Sequence, residues 1–431
     1  MKLRSYIKVF AIKSICLFFL LSCGRNKQPE IGIVGSIPNE TNTNIQITRE
    51  PIDEDKYVIP IDERKFPELQ LANQRMDLFL DSLRGKRVAI VANQSSSVNG
   101  VHLVDTLLSL GINIQKVFAP EHGFRGTADA GERVWSHKDP KTGVSIVSLY
   151  GNNKKPKADQ MSDVDIVLFD IQDVGVRFYT YISTLHYVME ACADYGKPMI
   201  VLDRPNPNAH YVDGPIREND LSSFIGMHPV PIVYGMTIGE YALMINGEHW
   251  LKKDLVCRLY VVPCVNYTHK MKYELPIAPS PNLRSDVAIS LYPSLCFFEA
   301  TTVSIGRGTE RPFEMYGHPN FRKTNFEFIP MPTTGAKDPL WQNRSCNGYD
   351  LRQIQSKRMY EINLSWLINA RDQLQDSVPF IDQRLFFDRL AGTSELRKQL
   401  LEGKSAKEIR ATWKPGLDVF MEIRKKYLIY R

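Results

Sequence analysis

The feature that most limits what this chain can become is a series of five short apolar runs, each ending in polar residues: Arg87–Asn93, Lys116–Pro120, Ser145–Tyr150, Val164–Asp170 and Pro198–Asp203. Near-continuous apolar runs of this length read as strands buried on both faces, the state of a parallel sheet covered on each side. Helical patterns lie between several of them, as from Leu103 to Leu110 and from Ile182 to Tyr195, with Gly196 placed to close the second as a C-terminal cap. Strand and helix alternate, which predicts an α/β architecture with a Rossmann-like parallel-sheet N-terminal domain. After Asn206 and Pro207 the pattern loosens into a helix over Thr237–Trp250, a strand-like Val256–Val262 and helical spacing over Ser394–Glu402 and Leu417–Tyr427. This half reads as a smaller α+β C-terminal domain, with a cleft between the two. The expected layout is a leader over 1–22, a tether over 23–65, the Rossmann-like domain with the catalytic loops over 66–215, and the second domain over 216–431.

The leader is read from charge and hydropathy together. Lys2, Arg4, Lys8 and Lys13 precede the apolar run from Ile15 to Leu21, which is too short to span a bilayer and long enough for the core of a signal peptide. The run ends in Leu20-Leu21-Ser22-Cys23-Gly24, which resembles a bacterial lipobox with Cys23 as the acylated residue. A lipoprotein of the bacterial cell envelope, facing the periplasm and anchored through its N-terminus, is therefore expected. Four of the six net positive charges sit in this leader, so the body carries only +2 and nucleic acid is not an expected partner. With Cys16 and Cys23 set aside, the remaining cysteines are Cys192, Cys257, Cys264, Cys296 and Cys346, scattered without metal spacing, and they read as buried thiols, with one disulfide allowed by an oxidising periplasm.

A dinucleotide is the first ligand such a sheet suggests, yet no G-x-G-x-x-G follows the first of the five strands, and Gly32-Ile-Val-Gly35 lies in the tether. Gly403-Lys404-Ser405 lacks the upstream glycine of a P-loop, and no G-x-S-x-G elbow exists. The nine histidines show no H-E-x-x-H or other ligand spacing, so neither a cofactor nor a metal is expected.

In an open parallel sheet ligands bind outside the carboxyl ends of the strands. Two strands run into polar clusters there, Pro120-Glu121-His122-Gly123-Phe124-Arg125-Gly126 and Asp170-Ile-Gln172-Asp173-Val-Gly175-Val-Arg177-Phe-Tyr179-Thr-Tyr181, and a third runs into Asp203-Arg-Pro-Asn206-Pro207. Asp170 and Asp203 read equally as helix caps and as functional groups. Arg177 reads as an ion-pair partner of Asp173 or as a substrate contact, Tyr179 and Tyr181 as core aromatics or hydroxyl donors, and His122 as a loop hydrogen-bonder or a ligand. Glu121 gains nothing structural from following a proline at a strand end, and Gly123 and Gly126 suit a loop that approaches a substrate closely. A further cluster, Phe298-Glu299 through Gly306-Arg307-Gly308-Thr309, offers an arginine fork suited to an anion, or to bracing a turn.

These motifs, together with Ser280-Pro-Asn-Leu283 and the closing Trp413-x-x-Gly416-Leu-x-x-Phe420-x-x-x-Arg424-x-x-Tyr427-Leu-x-Tyr430, resemble the exo-β-N-acetylmuramidases of the NamZ type, from about Arg87 to Arg431. The resemblance implies a glycoside hydrolase that releases N-acetylmuramic acid from the non-reducing ends of peptidoglycan-derived saccharides. Its chemistry needs an acid for the leaving oxygen and a second group at the anomeric carbon. Glu121 is the expected acid. Asp173 is the candidate second group as water activator, unless the substrate's own acetamido group attacks and Asp173, Gln172 or a tyrosine only orients it. His122, Arg125, Asp170, Gln172, Arg177, Tyr179, Asp203, Asn206, Glu299 and Arg307 are the expected substrate contacts, with Arg125, Arg177 and Arg307 each eligible for the lactyl carboxylate. The chain departs from the family pattern at Ala300-Thr301-Thr302, where Gly-Thr-Asn is expected. A non-catalytic muropeptide-binding lipoprotein would need the arginines and aromatics but not a protonatable Glu121.

Overall fold

The structure is a computed structural model that describes Gly32–Ile33 and residues 68–125, 137–353, 359–374 and 378–430. The lipobox with Cys23, and Gly126, lie outside the described residues.

Each of the five apolar runs forms a strand of one sheet. From edge to edge the strands are Gly32–Ile33, Leu259–Val262, Met199–Leu202, Ile166–Asp170, Val88–Ala92, Ile114–Ala119, Ser145–Ser148 and His137–Lys138. All neighbours are parallel except the last pair. Pleating divides the central strands between two cores: Ala89, Val91, Phe118, Val167 and Phe169 face one, and Val88, Ile90, Val117, Leu168 and Ile200 the other. Both faces are covered, which is why these strands read as unbroken apolar runs rather than as alternation. The helix Leu103–Ser109 covers one face, and Tyr181–Asp194 and Ile238–Gly247 cover the other. Gly196, at φ +63°, follows Tyr181–Asp194, and the Lys197 N–H returns to the Cys192 carbonyl at 2.8 Å, a left-handed cap that ends the helix as its glycine predicts.

Two expectations need correction here. The strand Leu259–Val262, expected in the second domain, extends the first sheet beside Met199–Leu202. Gly32–Ile33, expected in the tether, pairs with Leu259–Val262 at the sheet edge, where unpaired backbone groups accept any extended segment. The C-terminal half adds a small antiparallel sheet of Met315–His318, Cys346–Asp350 and Glu327–Phe328, with helices Ser365–Leu374, Arg384–Ala391, Glu395–Leu401, Ala406–Ala411 and Lys414–Lys425. Its Phe297, Phe387, Trp413 and Tyr427 belong to the same continuous apolar core as Phe169 and Val201 of the parallel sheet, so the two halves do not have separate interiors. The five cysteines of the body are buried free thiols. No helix among the described residues is long and apolar enough to cross a membrane.

Candidate active site

At the carboxyl end of the sheet the loops after Val88–Ala92, Ile114–Ala119 and Ile166–Asp170 are tied to one another. The Gln172 N–H donates to Ser95 Oγ at 3.0 Å, Asn93 Nδ2 donates to the Tyr181 hydroxyl at 2.9 Å, and Ser96 Oγ donates to the Asp170 carbonyl. Tyr179 and Tyr181 reach across to a segment of the C-terminal half, both donating to the Pro279 carbonyl, at 2.9 and 3.3 Å. Gln94 Nε2 donates to the same oxygen at 3.0 Å. Three hydroxyl and amide donors on one carbonyl pin Pro279 against the sheet end.

Glu121 opens the turn that leaves Ile114–Ala119. His122 and Gly123 both adopt the left-handed region, at φ 69° and 78°, and the Gly123 N–H closes on the Pro120 carbonyl at 3.0 Å. Two consecutive residues at positive φ reverse the chain within one turn, a conformation that a non-glycine residue adopts at a cost. The result holds Glu121 half-buried, with Thr180 Oγ1 donating to its Oε2 at 3.0 Å. Thr180 is the residue just before the helix Tyr181–Asp194, so the helix start fixes the carboxylate. His122 is buried. Arg125 is exposed, lies 4.4 Å over the Phe124 ring and pairs with buried Asp139 at 2.9 Å.

Asp173 is enclosed. Its Oδ2 accepts from the Gly175 N–H at 2.7 Å and from the Tyr234 hydroxyl, while Oδ1 is buried without a hydrogen-bond partner. Burial pushes its carboxyl up to about 6, against the opposing pull of Tyr234 and the Gly175 N–H. A buried carboxylate oxygen without a partner adds to the cost of ionising the group. Glu121 therefore presents the more accessible of the two carboxylates.

Several expected substrate contacts are engaged in hydrogen bonds within the fold. Arg177 is fully buried and does not pair with Asp173; it donates to the carbonyls of Pro215, Val230, Leu390 and Ala391 at 2.6–3.0 Å, and burial pushes its pKa down to about 9. It clamps the two halves together. Asp170 binds Arg204 at 2.6 Å and Asn73 at 3.1 Å. Asp203 accepts from Tyr430 at 2.6 Å, Thr237 at 2.7 Å and the Gly239 N–H at 2.8 Å; burial pushes it up to about 6 while Tyr430 pulls it down. Gln172 donates to the Asp173 and Pro205 carbonyls, and Asn206 to the Met236 carbonyl at 2.8 Å. Gln172 and Asn206 tie the loop that carries Asp173 to the segments after Met199–Leu202 and before Ile238–Gly247.

Glu299 and Arg307 form an ion pair on the wall of a cavity of about 560 Å³, whose lining does not include Glu121. Thr302, at the departure from the family pattern, donates to the Pro379 carbonyl at 3.0 Å and is not part of that lining. Sequence reasoning missed Thr180, Asn93 and Tyr234. Thr180 stands inside a recognised motif and Asn93 ends the first of the five strands, so both had a positional signal; Tyr234 lies in the irregular stretch and had none.

Two family models match the chain, those of the exo-β-N-acetylmuramidase NamZ N-terminal region over residues 88–287 and of its C-terminal region over residues 290–430. The peptidoglycan β-N-acetylmuramidase NamZ of Bacillus subtilis (strain 168) is 38% identical over 368 residues, 81% of this chain and 88% of that protein. Crystal structures of two DUF1343 family proteins from Bacteroides fragilis NCTC 9343 are also similar. One has a TM-score of 0.78 at 45% identity and the other 0.72 at 26%, each covering 84% of this chain and 99% of the other. A match over both halves, from the first central strand to the closing tyrosine, shows that this chain belongs to the exo-β-N-acetylmuramidase NamZ family.

Proposed function

We propose that this protein is an exo-acting glycoside hydrolase that releases N-acetylmuramic acid from the non-reducing ends of peptidoglycan fragments, with Glu121 as its general acid. The family match carries the activity, and the half-buried Glu121 fixed by Thr180 at the carboxyl end of the parallel sheet supports its role. Its carboxylic acid protonates the glycosidic oxygen as the bond to the anomeric carbon breaks. The enclosure of Asp173 favours attack by the substrate's own acetamido oxygen over a water activated by Asp173. Asp173 then orients its neighbours through its bonds to Tyr234 and the Gly175 N–H. A series of substrates with increasingly fluorinated acetamido groups tests this, because attack by that oxygen weakens with each fluorine; rates that do not fall return Asp173 to the role of base.

The leader supports a lipoprotein anchored through Cys23, which would hold the enzyme at the periplasmic face of the envelope among its substrates. A non-catalytic muropeptide-binding protein would share the arginines and aromatics, but would have no use for a hydrogen-bonded carboxylate at Glu121. Incubation with a disaccharide bearing a non-reducing N-acetylmuramic acid, followed by mass detection of the free sugar, decides between them. Absence of release at high enzyme concentration would sink the hydrolase reading.

A further inference from the structure

Past the helix Lys414–Lys425, the buried Tyr430 is fastened to the carboxyl end of the parallel sheet. Its hydroxyl donates at 2.6 Å to Oδ2 of Asp203, which follows the strand Met199–Leu202. The same oxygen accepts at 2.9 Å from the N–H of Cys264, which stands just beyond the strand Leu259–Val262. These two strands are parallel neighbours, so one phenol bridges their ends.

The backbone that carries the ring is held as firmly. The Ile429 and Tyr430 N–H groups both donate to Oε1 of Glu240, at 2.8 and 3.2 Å. Glu240 is fully buried as the capping-box residue of the helix Ile238–Gly247, and His269 Nε2 lies 2.8 Å from its other oxygen. The Tyr430 ring meets Tyr267 edge-on at 4.9 Å. Backbone, ring and hydroxyl are each fixed by a different neighbour, so the hydroxyl reaches Asp203 already aimed.

From Asp203 the contacts lead to the candidate site. The segment 203–208 lies against the loop 172–175: Gln172 Nε2 donates to the Pro205 carbonyl at 2.7 Å, Asn208 Nδ2 donates to the Val174 carbonyl at 2.9 Å, and a Cβ on Gly175 would collide with the Asn206 side chain. Tyr267, packed on Tyr430, accepts from the Asn206 N–H at 3.1 Å. The Gly175 N–H in turn donates to Oδ2 of Asp173 at 2.7 Å, and the same stretch of chain continues to Thr180, which holds Glu121. Packing this close transmits displacement, because atoms with no space between them move together.

We propose that Tyr430 is a positioning residue for the reaction: through Asp203 and the segment 203–208, its hydroxyl holds the loop of Asp173, and with it Thr180, in place beside Glu121. The proposal rests on the hydrolase reading above. A phenylalanine fills the same space, so the positioning depends on the hydroxyl. Without it, Oδ2 of Asp203 keeps Thr237 and Oδ1 keeps the Arg204 and Gly239 N–H groups, so the fold should survive and the loss should fall on geometry.

Tyr430→Phe tests this by two readouts. Amide hydrogen exchange at Asn206, Asn208 and Gly175 should quicken roughly tenfold, the scale of one hydrogen bond, while the amides of Val88–Ala92 keep the parent's rates. On a disaccharide bearing a non-reducing N-acetylmuramic acid, kcat should fall roughly tenfold with KM kept within about twofold, since a loosened loop misplaces reacting groups more than it weakens binding. Tyr427→Phe is the control: it removes a 2.7 Å bond to Glu248 from the same segment, and should lower the urea midpoint with neither change. Tyr267→Phe, which breaks the link at Asn206, should repeat the Tyr430→Phe pattern, and it carries the test if Tyr430→Phe does not fold. Faster exchange that stops at Asn206 and Asn208 and leaves Gly175 unchanged overturns the proposal. So does a kcat kept within about twofold, or a fall in kcat that Tyr427→Phe matches. A parent enzyme that releases no sugar overturns the hydrolase reading instead, and exchange at Gly175 still decides whether Tyr430 holds the loop.

Discussion

Tyr234 donates its hydroxyl to Oδ2 of Asp173 across 61 residues of sequence, inside a site where the other carboxylate oxygen has no partner. Burial raises Asp173 from its ordinary 3.8 to about 6. The folded state thus resists ionising this group, so the stability it contributes is complete below pH about 4, is lost as the pH rises through about 6, and stays lost above. Removing the phenol in Tyr234→Phe takes a hydrogen bond from the ionised form and moves that loss further up the pH scale. The variant should be destabilised by about 2 kcal/mol at pH 8, the scale of a charged hydrogen bond, and by about 1 kcal/mol at pH 4. Urea unfolding at both values checks this; an equal cost at both would mean that the phenol meets a neutral carboxyl throughout.

Glu121→Gln keeps the shape and the bond from Thr180 while removing the proton that the leaving oxygen needs. Turnover of the natural disaccharide should fall by roughly two to four orders of magnitude, with substrate binding largely kept. The fall should be smaller for an aryl glycoside whose leaving group is a weak base, because that bond breaks with little protonation. If the variant cleaves the disaccharide within a few-fold of the parent, another carboxylate is the acid, and Asp173 and Glu299 are the next to replace.

Arg177→Met removes the guanidinium that donates to four buried carbonyls from two parts of the chain, of which Val230 alone keeps a second donor among these, the Arg217 N–H. The expected cost is about 3 kcal/mol or more, seen as a lower urea midpoint. The fraction that remains folded should keep the parent's KM for an acidic substrate. A raised KM with unchanged stability would restore Arg177 to the substrate.

Cys23→Ala should abolish acylation and move the protein from the detergent phase to the aqueous phase, with hydrolysis by the soluble form unchanged. Membrane association that persists in this variant refutes the lipobox reading.

What the sequence determined by itself was the architecture at the sheet and the place where chemistry gathers. Five apolar runs with helices between them leave a parallel α/β sheet as the economical outcome, and ligand loops follow from it, because parallel strands all deliver their carboxyl ends to one side. The position of Glu121 was legible for the same reason, because it stands just past the end of Ile114–Ala119 on the ligand side of the sheet. The roles of the other polar residues were not legible. Asp170, Asp203, Asn206 and Arg177 have the types and the positions of substrate contacts, and only the folded chain shows them consumed by Arg204, by Tyr430, by the Met236 carbonyl, and by carbonyls more than 200 residues away. Likewise the strand Leu259–Val262 carries no local mark of which sheet it will join. Periodicity and turn chemistry act over a few residues and are written in the order of the chain. Whether a charged group meets solvent, substrate or a distant carbonyl is decided by packing between segments far apart in sequence, so burial and partner choice belong to the tertiary structure alone.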